Sequence, residues 1–263
     1  MYMPNKNIAL DIINYNEYTR NIKHWNPYED KIDLSFFKNN KQCYILGPTN
    51  NDGARYLWNF NIKVNKSDEI YINSAKNSEE FGQCIDIYIQ NKTGKINYIN
   101  QCGDYSGKHL TKWMLEIMKN IGCEKCILQD MAEIKCHNRN ENNYVSVSLI
   151  HKLWKGHTYY EDFGFFPYNH NNNLYKHEIL IELNNKIKQL QELKWRDFNI
   201  NNEKWSQFEN KYSAIYPSPF HAFKEFTPNT CGIFYDILIF IDNLPLLNDI
   251  NKIISKSIWV KAL

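Results

Sequence analysis

Neither sign of charge dominates this chain, glycine and proline are sparse, and no long apolar run occurs. Lysine and arginine number 31 against 29 acidic residues, a formal net charge of +2. A nucleic-acid binder usually carries a domain-scale basic excess or a Lys/Arg stripe; neither is visible, so no nucleic-acid partner is expected. With ten glycines and eight prolines in 263 residues, there is no Pro/Gly-rich linker, and no internal repeat is found. The most apolar stretch, Ile233 to Ile241, contains Asp236 and is about half the ~20 residues a bilayer span needs. It is read as a buried strand or helix, and no membrane partner is expected. The opening residues, Met1 to Lys6, lack a basic region followed by an apolar run, so a signal peptide is not expected. The seven cysteines are odd in number and scattered, which points to reduced thiols in a cytoplasmic setting. Without a secretory signal, the glycosylation patterns at Asn65 and Asn91 carry no weight.

What is present suits a folded domain. Hydrophobic residues make up 43% and charged residues 23%, enough apolar side chain for a sizeable core. Aromatics reach 15% and fall in apolar periodic stretches, where they read as core. Asparagine runs such as Asn171 to Asn173 read as loop filler.

The first forty residues are irregular, with Ile8 to Ile13 the best candidate for a short element. Strand-like text begins near Gln42: Cys43 to Leu46 stops at Gly47-Pro48, and Tyr56 to Val64 and Glu69 to Ile72 follow, rich in aromatic and β-branched residues. Cys84 to Ile89 and Lys95 to Ile99 alternate around Asn91-Lys92-Thr93-Gly94, which predicts a β-hairpin. Leu110, Trp113, Met114, Ile117 and Ile121 form one helical stripe, with Gly122 placed to end it. Lys125 to Gln129 reads as a buried strand ending at Asp130. A polar, Asn-rich loop is expected next, then a helix over Val145 to Trp154 stopped by Gly156. Ile179 to Leu183 reads as a strand, Asn184 to Lys194 as a helix and Leu246 to Ile254 as a terminal helix.

The segment from Gly103 to Lys108 sits between hairpin and helix. The first turn of a helix leaves N–H groups unpaired at an electropositive end, and glycine lets backbone approach a phosphate closely. Gly103, Ser106, Gly107 and Lys108 are therefore candidate donors to a pyrophosphate, Lys108 adding a point charge. An ordinary turn with Ser106 as N-cap explains the same residues. The spacing matches neither the P-loop nor G-x-G-x-x-G.

The order of hairpin, turn, amphipathic helix, strand and helix, ending in Tyr160-Glu161-Asp162-Phe163-Gly164-Phe165, resembles the core of the GNAT superfamily, the acyl-CoA N-acyltransferases. The segment Ser148 to Tyr160, with its Lys155-Gly156 pair, is similar to a variant in GNAT-like proteins of some giant viruses and protists. The resemblance covers roughly residues 80 to 167. It implies an α/β fold with a mixed, mostly antiparallel sheet flanked by helices: a core over 42–183, an N-terminal extension over 1–41 and a C-terminal addition over 184–263. It also implies acetyl-CoA as co-substrate, an amine acceptor and N-acyl transfer, with a non-catalytic GNAT-shaped protein as the alternative. The loop departs from the family pattern: Tyr105 stands at the middle glycine position and Asp104 lies beside it. By this resemblance Tyr160 is the acid that protonates the leaving thiolate, its ordinary pKa of ~10 against ~8.5 for a thiol making the transfer feasible. Asp130, at the end of its strand, is the candidate base, with Glu133 the alternative; Asp130 could equally cap the following turn. Cys123-x-x-Cys126 with Cys136-His137 has the residue types of a zinc site, but a structural zinc needs four convergent ligands, and no metal is expected. A Cys102/His109 nucleophile pair lacks supporting context.

Overall fold

The chain is described by a computed structural model over residues 12–14, 24–50, 53–74, 84–99, 105–129, 133–138, 141–168, 176–198, 200–201, 203–222 and 244–263, with 12–14, 133–138 and 141–145 described as backbone. Two compact units are present, one over 1–128 with 261–263 and one over 129–260. The coarse expectation holds: this is an α/β protein whose main sheet is mostly antiparallel and is accompanied by helices.

The first unit is built on eight strands: β1 (Ile12–Asn14), β2 (His24–Trp25), β3 (Gln42–Leu46), β4 (Tyr56–Val64), β5 (Ile70–Ser74), β6 (Ile85–Gln90), β7 (Thr93–Ile99) and β8 (Lys125–Gln129). They lie in the order β8-β7-β6-β5-β4-β3-β2, with β1 on β4. The long β4 divides one of its edges, residues 56–58 facing β1 and 60–64 facing β5. Only β2/β3 and β7/β8 are parallel. Two helices belong here, α1 (Leu34–Asn39) and α2 (Gly107–Asn120). The period-2 alternation sends Ile70, Ile72, Ile85, Ile87, Ile89 and Ile96 to one buried face. Helix α2 contributes Leu110, Trp113, Met114, Ile117 and Met118 to the buried core. Each fully buried side chain of this size contributes about 1.5–3 kcal/mol as an upper estimate. Trp113 fixes the helix along the sheet: its ring lies 5.2 Å from Trp58 and 5.6 Å from Phe60, and its indole N–H donates to the Leu46 carbonyl at 2.9 Å.

The hairpin turn is tighter than the sequence suggests. Asn91 and Lys92 alone form it, both at positive φ (48° and 58°), the pairing that matches the twist of flanking strands. Lys92 is held there by its carbonyl, which accepts from Glu124 N–H at 2.7 Å, and by its ammonium on the Glu124 carboxylate at 2.7 Å. Gly94 is not part of the turn. It lies inside β7 beneath α2, where an added Cβ would collide with Sδ of Met118 and stand 2.9 Å from its Cγ. Gly122 does end the helix, at φ 87°.

The second unit opens with a hairpin, β9 (Glu133–Asn138) against β10 (Glu141–Ser146), where a loop was expected. Its asparagines suggested a loop, yet the backbone pairs from Glu133↔Ser146 to Asn138↔Glu141. Helix α3 (Val147–Lys155) therefore starts two residues later than expected, capped by the Ser146 hydroxyl, which accepts from Leu149 N–H at 3.3 Å, and closed by Gly156 at φ 83°. After a 3-10 turn over Glu161–Phe163 come β11 (Phe166–Tyr168), α4 (Lys176–Glu192), α5 (Glu203–Tyr212), α6 (Pro219–Ala222), α7 (Pro245–Lys256) and β12 (Ile258–Ala262). The strand expected at Ile179–Leu183 is the start of α4. Ile179, Leu183, Ile187 and Leu190 are all buried at helical spacing, so one stripe runs through both expected elements. Strand β12 pairs antiparallel with β11, and Lys186 of α4 meets Asp249 of α7 at 3.0 Å. The expected element at 233–241 lies outside the described residues.

The Gly94–Met118 contact yields the first prediction. Gly94→Val should destabilise by about 1–3 kcal/mol through overpacking, and trimming Met118 to alanine in the same chain should recover part of the loss. Urea unfolding measures both; a Gly94→Val chain as stable as the parent removes this close approach from the account.

Candidate functional site

The helix expected after the Gly103 to Lys108 segment begins at Gly107, as α2. Ser106 is extended (φ −72°, ψ 155°), and its hydroxyl accepts from His109 N–H at 3.3 Å. Its carbonyl receives Leu110 N–H at 3.1 Å, and Thr111 donates to the Gly107 carbonyl at 2.8 Å. Among the described residues nothing accepts from the N–H of Gly107 or Lys108, and no acidic residue lies in the first turn. Ser106 caps one donor of this end, and among the described residues the other first-turn N–H groups keep their partial positive charge, with the Lys108 side chain exposed beside them. Gly107 does not adopt a positive φ; it is an ordinary first helical residue.

Tyr105 is buried against Trp58, ring centroids 5.3 Å apart. The indole nitrogen of Trp58 is buried without a partner among the described residues and lies over Gly47, where any Cβ would strike the ring. Trp58, Trp113 and Gly47 frame this helix start; the sequence placed Gly47 in a turn and Trp113 in the helical stripe but assigned none of the three to the site. The Tyr-Leu-Trp alternation at the start of β4, just past the Gly47-Pro48 stop, was the available signal.

The helix lies in a parallel crossover from β7 to β8. The β7/β8 ladder runs from Thr93↔Lys125 to Ile96↔Leu128 and ends there, while β7 continues to Ile99. Ser106, Gly107 and Lys108 are brought together at this end. Gly103 and Asp130 lie outside the described residues, and the side chain of the alternative base, Glu133, is not described.

Tyr160 belongs to the second unit. It is 8% exposed, with ring centroids 5.3 Å from Tyr159, 6.2 Å from Phe165 and 6.4 Å from Trp259. Its carbonyl accepts from the N–H groups of Phe163 (3.0 Å) and Phe165 (3.2 Å). Gly164, at φ 77°, supplies the left-handed residue that closes this turn. Glu161 faces inward: its carboxylate accepts from Thr158 N–H at 2.5 Å and lies 3.4 Å from the Lys152 ammonium, whose side chain is 1% exposed. The Tyr-x-x-x-Gly-Phe ending thus has a structural role at each position. Lys152, which the sequence reading passed over as one more helix residue, is the buried charge on which the turn rests.

Burial lowers the Lys152 pKa, and Glu161 counteracts this only in part. The folded state therefore holds this proton less tightly than the unfolded chain. The unfolded chain binds more protons between the folded value and the ordinary 10.5, so the lysine's contribution to stability improves as pH rises through that window.

The described free thiols, Cys43, Cys123 and Cys126, are buried and poor nucleophiles. Burial pushes Cys43 up to about 12, Cys123 to about 11 and Cys126 higher still. Cys84 is disulfide-bonded, which corrects the expectation that all seven cysteines are reduced. Among the described residues no three His, Cys, Asp or Glu side chains converge as a metal site requires, and no helix is long and apolar enough to cross a membrane.

The Lys152–Glu161 pair gives a directional test. Removing one partner strands the other's charge, and this costs most where the stranded charge is the deeper one; here that is Lys152. Glu161→Gln should therefore cost about 3 kcal/mol, and Lys152→Met should cost less, because the Glu161 carboxylate it leaves behind keeps some solvent contact and the Thr158 N–H. Equal losses in chemical denaturation would contradict this ordering.

No family model matches the chain, and no curated protein or solved structure does.

Proposed function

We propose that this chain is a GNAT-type N-acyltransferase that moves an acyl group, acetyl by preference, from CoA to an amine. The observation that carries the reading is the β7–α2–β8 crossover. An antiparallel hairpin precedes a helix whose Gly107 and Lys108 N–H groups have no acceptor among the described residues, and the following strand returns parallel to β7 but parts from it after Ile96. Such an end suits a pyrophosphate on the N–H groups of Gly107 and Lys108, with the Lys108 ammonium as counter-charge. Gly103 and Ser106 complete the loop in this reading.

In the reaction the amine nitrogen attacks the thioester carbonyl, and its proton passes to a carboxylate, Asp130 or Glu133. A backbone N–H of β7 beyond Ile96, free of the β8 ladder, holds the oxyanion. Collapse of the adduct breaks the C–S bond and the thiolate takes up a proton, the role that the resemblance gives to Tyr160. The acceptor is an amine.

A GNAT-shaped protein without catalysis is the second reading, favoured by two packing facts. Tyr105, at the loop's middle glycine position, fills space against Trp58, and Tyr160 is enclosed by aromatic rings.

Calorimetric titration with acetyl-CoA separates the two. The enzyme reading expects binding, and at a hundredfold excess over Kd a stabilisation of about 2.7 kcal/mol. Gly107→Glu should abolish that binding without unfolding the protein, because glutamate suits the first turn of a helix and Gly107 needs no special φ. Tyr160→Phe should lower turnover and leave binding intact. Absence of binding at millimolar acetyl-CoA leaves the non-catalytic reading, and an unchanged rate removes Tyr160 from the mechanism.

A further inference from the structure

The far end of α2 gathers three sulfur-bearing side chains. Gly122 N–H donates to the Lys119 carbonyl at 3.1 Å and Cys123 N–H to the Met118 carbonyl at 2.9 Å. With Gly122 left-handed at φ 87°, these are the two bonds of a Schellman motif, which commonly lays the residue after the glycine against the one whose carbonyl it takes. Cys123 and Met118 are both buried, as that contact requires. Met118 in turn lies over Gly94, its Sδ filling the space a Cβ there would need.

Sheet register adds the third side chain. Gly94 is paired in parallel with Cys126, so Cys126 projects beside it on the face that α2 covers, one strand spacing of about 4.8 Å away. Cys126 is fully buried there. The chain bends at Glu124, and Glu124 and Lys125 stay exposed while the cysteines on either side of them are buried. The two thiols are close enough for charge on Cys123 to act on Cys126. A helix cap, a glycine and a strand pairing thus bring Cys123, Met118 and Cys126 together within the first unit.

Two thiols and a thioether are soft donors. A structural zinc needs four ligands, and among the described residues no third His, Cys, Asp or Glu joins this pair, which is why Cys123-x-x-Cys126 fails as a zinc site. Cu(I), a soft cation, is served by sulfur alone and at lower coordination. The geometry points to a Cu(I) site at the end of α2, with Cys123 and Cys126 as thiolate ligands and Met118 as a thioether donor. On binding, each S–H bond gives way to a Cu–S bond, two protons leave to solvent and copper keeps its oxidation state. The negative end of the helix dipole favours a cation here, and Lys261 acts electrostatically on the Cys126 sulfur, offsetting the charge of the two thiolates. Burial keeps both thiols protonated without metal, Cys123 up to about 11 and Cys126 higher. Two protons are therefore displaced, and affinity should rise about a hundredfold per pH unit below these values.

The test titrates the full chain, reduced and free of oxygen, with Cu(I) in competition with the chromophoric chelator bicinchoninate. The protein should withdraw the first equivalent from the chelator, with the pH slope just given. Cys123→Ala and Cys126→Ala should each weaken capture by about a hundredfold. Met118→Leu, which conserves volume and keeps the fold, should weaken it about tenfold. Cys43→Ala and Gly107→Glu should change nothing, which separates this site from another buried thiol and from the CoA reading. Three results overturn the proposal: no Cu(I) withdrawn from the chelator, capture undiminished in both cysteine variants, or a pH-independent affinity. Where an alanine variant does not fold, the parent's pH slope and Met118→Leu decide, and a Met118→Leu chain with parental affinity overturns the three-sulfur site.

Discussion

The seating of α2 on the isoleucine face of the first unit is the contact on which the rest of that unit depends. Six isoleucines from β5, β6 and β7 make one side of the sheet apolar, and no strand could leave that face in water. The helix comes close because Gly94 offers no side chain under Met118, and it is fixed in position by Trp113, locked to Leu46, Trp58 and Phe60. The position of the helix start, with its unpaired N–H groups, follows from that anchoring. The chemistry proposed there rests on a packing decision made along the helix.

Where periodicity was strong, the sequence reading and the structure agree closely. The hairpin of β6 and β7, the α2 stripe, the buried β8 and the stops at Gly122 and Gly156 were all legible, because alternation and 3.6-residue spacing reflect burial directly. The failures have two physical sources. At β9 and β10 the asparagine-rich composition concealed a ladder held by backbone pairing, which composition does not encode. At Ile179 to Leu183 a short aliphatic run was read by β-propensity alone, while its burial partners Ile187 and Leu190 lay further along and fixed the helical period.

The candidate site was legible only in part, for a related reason. Ser106 as N-cap and Gly107 as the helix start follow from local rules, and both hold. Of the frame around it, Trp113 lies on the same helix, but Trp58 and Gly47 come from about 50 and 60 residues earlier in the chain, and no local pattern links those two to Ser106. Gly94 was assigned to the turn because glycine serves turns most often, whereas here it serves close packing.

The Tyr160 ending illustrates how a motif can be sustained by structure. Glu161 compensates a buried lysine and caps Thr158, Gly164 adopts a left-handed conformation, and Phe165 is fully buried. Each would be retained by a chain that catalyses nothing, so the motif argues for the local fold more strongly than for the reaction. The start of α2 differs in kind. Among the described residues nothing accepts from the N–H groups of Gly107 and Lys108, and no acidic residue lies in the first turn, which leaves a partial positive charge there. Helices gain from an acidic first turn or a full cap, and here Ser106 satisfies one donor while Lys108 adds further positive charge. That arrangement stabilises the helix less than common alternatives would, and an anionic ligand is what would make it favourable.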